Sequence, residues 1–437
     1  MADGAVSRAS RRRRRWWHLR QQWSMLGVFQ ITADHPFFRL TTFIKEGVRA
    51  SVQKGRSRSA PDALSAEDFR SRDVQTHTGF SMEAFAAPVF QYLRRSLDIS
   101  EEQFLDSLCS DQFYLQFISN SKSRADFFLS HDKRFFLKTQ SRREVQFLLN
   151  KLKVYTDHLK KHPHSIMVRF LGVYRIVIPN EMKKYLIVMQ SVFFPDERIS
   201  VRYDVKGCEV GRWSDPGGGS DPGRDTHVIR VLKDNNLQDH ISLGPERPWF
   251  LEQVRADAEF LHSLNVLDYS LLIAHQPLHQ DEIQAKHGLA NLVLRTTKSL
   301  DLDSPSEADE PTAPLLSQSS TVPQTGPDSG PGPDPGLDPG PALDSGGASS
   351  DPDALPLQDF GQHHRRLLPD SENAVHVLDG PEHRYFVGII DVFTVYGLKK
   401  RLESLWKRVR FRGRAFSTVR PRKYSTRFCK WIQDRTD

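Results

Sequence analysis

The chain has 437 residues, 38% of them hydrophobic, enough for two or three ordinary domains or for one large two-lobed domain. Its apolar runs fall far short of the roughly 20 residues that a membrane-spanning helix needs, and the N-terminus lacks an apolar signal core, so a soluble, intracellular protein is expected. Cys109, Cys208 and Cys429 have no paired spacing and support neither a disulfide framework nor a zinc site, while the net charge of +7 hides a basic tail, with 14 Lys and Arg against three acids in residues 392–437.

In chain order, the first signal is RRRRRWWHLR within the first 20 residues. Arginines beside Trp16 and Trp17 suit an anionic membrane surface, with nucleic acid as the competing partner for such a patch. Pro88 can open a helix through PVFQYLRRSL, and Ser100 with Gln103 forms a capping box for EEQFLDSL. ADFFLS and RFFLKT read as two aromatic strands of a hairpin, separated by His131, Asp132 and Lys133. Ser141 and Glu144 form a second capping box, and Val145, Leu148, Leu149, Leu152, Tyr155 and Leu159 follow at helical spacing. MVRFLGVYRIVI and KYLIVMQSVF predict buried strands, WFLEQVRADAEFLHSL a helix and YFVGIID a strand ending in an acid, so a mixed α and β protein is expected. Residues 214–225 read as a mobile loop. Residues 301–360, with 12 acids, no Lys or Arg and 19 Pro plus Gly, cannot bury enough apolar surface to fold and read as a disordered insertion. These segments delimit ordered blocks at 75–213, 226–295 and 372–437.

Lys138 ends a predicted strand and Glu144 opens the helix after it. A carboxylate that steadies a strand lysine is the arrangement that aims an ammonium at nucleotide phosphates, although Glu144 is equally explained as a helix cap. Asp268 in NVLDYSLLIAHQ and Asp391 in YFVGIIDVF each stand beside an apolar run, where a lone buried charge is costly and a metal or cationic partner is expected. A strand-end aspartate capping a turn is the ordinary structural reading of each. Taken together, a lysine and two carboxylates are the parts of magnesium-assisted phosphoryl transfer.

In FFLKT, DVKGC at Asp204 to Cys208, LDYSLL at Leu267 to Leu272 and GIID at Gly388 to Asp391, taken in that order, the chain resembles the phosphatidylinositol phosphate kinase family, and within it the type I members. The resemblance runs from about Thr78 to Ile432 and includes LKDNN at Leu232 to Asn236. It implies an α/β (α+β) two-lobed kinase fold, with an antiparallel N-lobe sheet, helices and a smaller C-lobe. On this reading residues 1–74 are a basic, partly disordered N-terminal region and residues 75–437 are the kinase-like domain, interrupted by the insertion 301–360. The implied cofactors are ATP and Mg. Lys138 would contact the ATP phosphates and pair with Glu144, Asp268 would face the inositol hydroxyl, Asp391 with Asp268 would hold magnesium, and Lys206 would contact substrate phosphate. KRLESLWK, Lys400 to Lys407, matches the family's substrate-specificity segment; Lys399 and Lys400 would meet the lipid, and Glu403 stands where type I members have Glu, which points to phosphatidylinositol 4-phosphate. The implied partners are that lipid, an anionic membrane surface on the cytoplasmic side, and a second kinase copy, either of this chain or of a type I enzyme. Nucleic acid is not expected.

The family's glycine-bearing phosphate loop is replaced here by SKSRADFF, with Ser121 and Arg124 where glycines stand. A Cβ obstructs the close approach of backbone N–H groups to phosphate. Arg124 can either pair with phosphate itself or occupy its place. The expected function is therefore an attenuated phosphatidylinositol 4-phosphate 5-kinase, with a catalytically weak scaffold for type I kinases as the alternative.

Overall fold

A computed structural model describes residues 27–56, 63–118, 125–215, 231–279 and 375–437. The Arg/Trp block, Ser121 and Arg124, most of the 214–225 loop and the insertion 301–360 lie outside the described residues. An eight-stranded antiparallel sheet forms the larger lobe, in the order β1 (Gly27–Gln30), β4 (Leu115–Ile118), β5 (Phe127–Leu129), β6 (Phe135–Gln140), β8 (Met182–Gln190), β7 (Phe170–Ile178), β3 (Phe80–Phe85), β2 (Arg72–His77). Five strands form the smaller sheet, in the order β10 (Leu232–Lys233), β9 (Val201–Val205), β11 (Ser270–Pro277), β13 (His383–Ile390), β12 (Val377–Asp379). Among the described strands only the β10/β9 pair is parallel. The expected two-lobed α+β architecture is present.

Alternation along β6 decides what faces where. Phe135 and Leu137 point into a core shared with α1 (Phe38–Arg56) and α3 (Glu101–Cys109), through Ile44, Val48, Phe104 and Leu108. Phe136 and Lys138 therefore project from the opposite face, and Phe136 packs on the second core. That core joins α2 (Ala87–Arg95), α4 (Arg142–Lys161), α5 (Arg247–Ser263), the small sheet and α7 (Pro421–Gln433). The segment after α4 is stitched to β13, with Val168 N donating to Ile389 O at 2.9 Å and Ile389 N to Ile166 O at 2.8 Å.

Both capping boxes form as read, at Ser100/Gln103 and Ser141/Glu144, and Pro88 lies in the first turn of α2. The start of the domain needs correction. Residues 27–56 are not a separate N-terminal region: β1 pairs with β4, and α1 buries Leu40, Ile44, Val48 and Val52, one turn apart, in the lobe's core. Gly47 lets α1 approach β3 closely, since a Cβ there would sit 2.5 Å from the Met82 sulfur.

Candidate active site

Three segments meet at one end of the small sheet. Register pairs Ser270 with Ile390 and Leu271 with Val205, so Lys206 just after β9, Asp268 just before β11 and Asp391 just after β13 lie side by side. Both aspartates have left-handed backbones, with φ of 66° at Asp268 and 62° at Asp391. That conformation is uncommon outside glycine and is held where surrounding structure over-determines it, often at functional sites.

Three ammonium groups, those of Lys138, Lys206 and Lys400, lie against these two acids. Lys138 Nζ, from the large sheet, lies 2.8 Å from Asp391 Oδ1. Lys206 Nζ donates to the Asp268 carbonyl and lies 3.3 Å from its Oδ1, while Lys400 Nζ lies 3.6 Å from its Oδ2. Lys400 also lies 3.1 Å from Glu403, and Lys407 lies 2.7 Å from the same carboxylate, which accepts a 2.9 Å hydrogen bond from Thr418 Oγ1. A line of alternating charge thus runs from β6 to α6 (Leu398–Arg410).

Burial pushes the Asp391 carboxyl up, but Lys138 and Lys206 outweigh it and hold the group below its ordinary value. At Asp268 burial is again outweighed, by Lys206 and then Lys400, with the same result. For Lys206, desolvation opposes the charge and the carboxylates of Asp268, Asp204 and Asp391 overcome it, so its ammonium binds its proton more tightly than usual. Both acids are carboxylates and Lys206 is charged at neutral pH.

Of the residues singled out from the sequence, Lys138, Lys206, Asp268, Asp391, Lys400 and Glu403 come together. Glu144 does not pair with Lys138: its carboxylate is taken by Ser141, at 2.6 Å from the hydroxyl and 3.0 Å from the amide nitrogen. The helix-cap reading prevails, and Asp391 takes the place expected of Glu144. Lys399 is exposed on α6 and makes no ion pair within the cluster. Sequence reasoning missed Asp204, Arg212 and Asp234, which brace the turn carrying Lys206, although LKDNN was the available signal. Arg212 lies 2.8 Å from Asp204 Oδ1 and 2.6 Å from Asp234 Oδ2.

The family described as phosphatidylinositol-4-phosphate 5-kinase matches residues 108–435. The chain belongs to the phosphatidylinositol-4-phosphate 5-kinase family. It is 43% identical over 435 residues to phosphatidylinositol 4-phosphate 5-kinase-like protein 1 of Homo sapiens, covering 99% of this chain and 95% of that protein. The mouse protein of the same name is 39% identical, covering 96% of this chain and 92% of its own length. Phosphatidylinositol 4-phosphate 5-kinase its3 of Schizosaccharomyces pombe is 26% identical, covering 99% of this chain and 58% of the yeast protein. Membership of the 5-kinase family carries a lipid-kinase class and phosphoinositide lipids as its field of action.

The residues present fit the group's cofactors. Magnesium takes one or two carboxylates and completes its shell with phosphate oxygens and water, and Asp391 and Asp268 are two adjacent carboxylates with cations beside them to meet phosphate. Among the described residues no helix is long and apolar enough to cross a membrane.

Proposed function

We propose that the chain is an ATP-dependent kinase that phosphorylates phosphatidylinositol 4-phosphate to phosphatidylinositol 4,5-bisphosphate, with turnover reduced by its glycine-free phosphate loop. One observation carries the reading. The strand lysine of one lobe is aimed at an aspartate of the other, and that aspartate neighbours a second acid held by its own lysine.

In this proposal Lys138 binds the ATP phosphates, exchanging its resting contact with Asp391 for them, and Asp391 with Asp268 holds the metal. Magnesium supplies neutralisation of the phosphate charge that develops during transfer. Asp268 accepts a hydrogen bond from the inositol hydroxyl and orients its oxygen. Its depressed proton affinity makes it a weak base, which suits a loose transition state in which the hydroxyl proton leaves late. Lys206 contacts the phosphate of the lipid head. Glu403, anchored by Lys400, Lys407 and Thr418, sets the distance at which α6 meets that head.

The same proposal puts α6 at the membrane surface. Leu398, Leu402, Leu405, Trp406 and Val409 lie on one face and are all more than half exposed, while Lys399, Arg401, Arg408 and Arg410 supply positive charge. Apolar anchors flanked by cations are what an anionic bilayer interface takes up. This supports peripheral association with the cytoplasmic leaflet rather than nucleic-acid binding.

The second reading is a weak or inactive scaffold that binds type I kinases, or a second copy of itself, and brings them to membranes. Ser121 and Arg124 in place of glycines favour it. Transfer of labelled γ-phosphate from ATP to vesicles containing phosphatidylinositol 4-phosphate, with phosphatidylinositol 5-phosphate vesicles as control, separates the two. Incorporation into the 4-phosphate lipid that is lost in Asp391→Asn supports the kinase; none above background, with capture of an active type I kinase, supports the scaffold.

A further inference from the structure

The turn carrying Lys206 is held from behind by a side chain that the proposed chemistry does not use. Asp234 follows β10 and is 3% exposed. Its Oδ1 accepts hydrogen bonds from Lys206 N at 2.8 Å and Cys208 N at 3.1 Å, and its Oδ2 accepts from Arg212 Nε at 2.6 Å. Arg212 then donates through Nη2 to the carbonyl and, at 2.8 Å, to the carboxylate of Asp204. Residues 204, 206 and 208 of DVKGC are therefore all fixed, one by Arg212 and two by Asp234.

The rest of the DNN turn extends the grip. Asn235 N donates to Arg212 O at 2.9 Å, and Asn235 Nδ2 donates to Glu209 O at 3.1 Å. Asn236 exchanges two 2.8 Å hydrogen bonds with the backbone of Ser214. Behind the turn stands α7. Gly207 has φ of +62°, and a Cβ there would meet Phe428 Cα at 3.2 Å and Trp431 Cβ at 3.1 Å. The turn cannot relax toward α7, and Asp234 prevents it from lifting away.

We propose that Asp234, bridged by Arg212 to Asp204, is the positioning residue that sets where the Lys206 ammonium sits, in front of Asp268. The consequence for turnover rests on the reading of Lys206 as a phosphate contact, but the clamp itself does not. A buried carboxylate with two backbone N–H donors and a guanidinium is satisfied only in this geometry. Asp234→Asn keeps one acceptor for the backbone but turns an N–H toward Arg212, so the bridge to Asp204 opens.

Competitive acetylation of the full chain with trace acetic anhydride, read by peptide mass spectrometry, tests this without any need for activity. In Asp234→Asn, Lys206 should become at least about tenfold more reactive, as expected when charge-assisted hydrogen bonds no longer fix its turn, while Lys138 stays within about twofold of the parent on the same scale. Arg212→Lys, which keeps the charge but loses the two-way bridge, should raise Lys206 by a smaller factor, and it decides the matter if Asp234→Asn does not fold. Lys206 as protected as in the parent, or Lys138 rising in step with it, overturns the proposal, because the loss would then be general loosening. Release of Lys206 with an unchanged KM for the lipid leaves the clamp standing and removes the reading that Lys206 touches the lipid phosphate.

Discussion

The ammonium of Lys138 lies 2.8 Å from a carboxylate oxygen of Asp391, 253 residues later in the chain. The pair joins the half-buried face of β6 that carries Phe136 and Lys138 to the residue that follows β13, so each lobe supplies one half of the contact. Because the Asp391 side chain retains 40% of its exposure, the pair holds the lobes in register without adding much to stability.

Lys138→Met should therefore separate function from folding. Turnover should fall by about a hundredfold or more, as on loss of a preorganised cation at a transferring phosphate. The melting temperature should move by only a few degrees, since a partly solvated pair contributes about 0.2–1 kcal/mol. Kinetics and thermal melts on one preparation check this, and a collapse of stability with turnover retained would contradict it.

The left-handed backbones make a second prediction. Asn adopts φ near 60° about as readily as Asp, whereas Ala does not. Both Asp268→Asn and Asp268→Ala lose the carboxylate charge beside Lys206 and Lys400, but in denaturant unfolding Asp268→Ala should be less stable than Asp268→Asn by about a further 1–2 kcal/mol, the cost of a left-handed residue. Equal effects of the two substitutions would mean that the backbone at φ of 66° is not the source of the cost.

Acid stability follows from the carboxyls held low. At Asp268, Asp391 and Glu403 burial raises proton affinity, but the lysines beside them, and at Asp268 and Glu403 a hydroxyl as well, lower it further. Near the ordinary values of about 3.9 and 4.3 the unfolded chain binds more protons than the folded one, so this stabilisation is complete above about pH 5 and is lost as pH falls through the folded values. Lys206 acts in the opposite sense: its contribution is complete below about pH 10 and is lost as pH rises through its elevated folded value. Urea midpoints across pH should show an acid limb that becomes shallower in Asp268→Asn. An unchanged limb would assign acid unfolding to other groups.

The membrane face can be tested through two side chains. Leu402 and Trp406 are 69% and 58% exposed on α6, and burying each in a bilayer interface is worth about 1.5–3 kcal/mol. Replacing both by Ala should weaken binding to vesicles containing phosphatidylinositol 4-phosphate by more than about tenfold. Lys399→Ala should act mainly at low salt, since the Debye length shrinks from about 10 Å at 0.1 M to about 3 Å at 1 M. Equal binding of all variants, or a preference for neutral vesicles, would contradict the assignment of this face.

Local signals were legible in the sequence, and distant pairings were not. The aromatic hairpin, both capping boxes and the strands ending near Asp268 and Asp391 follow from spacing and turn chemistry over fewer than a dozen residues, and all are present. The helix at Phe38–Arg56 is only weakly signalled, although Leu40, Ile44, Val48 and Val52 carry its period. Thr41, Thr42, Gly47 and Ser51 dilute its helix propensity, and its apolar face has meaning only against Met82 and the large sheet. At Lys138 the nearby Glu144 was the only partner visible locally. The partner found, Asp391, depends on the face from which β6 projects its side chains and on how the two sheets approach, which no local pattern encodes.

The proposed kinase combines the lysine and two aspartates of phosphoryl transfer with a sequence that has Ser121 and Arg124 where the family's phosphate loop has glycines. The most direct test is the rate of phosphate transfer to phosphatidylinositol 4-phosphate by three proteins: the parent, a variant with Ser121→Gly and Arg124→Gly together, and that variant with Asp391→Asn added. The account predicts slow transfer by the parent, faster transfer by the double glycine variant and loss of the gain when Asp391 is replaced. No transfer by any of the three, or a gain that survives Asp391→Asn, would contradict it.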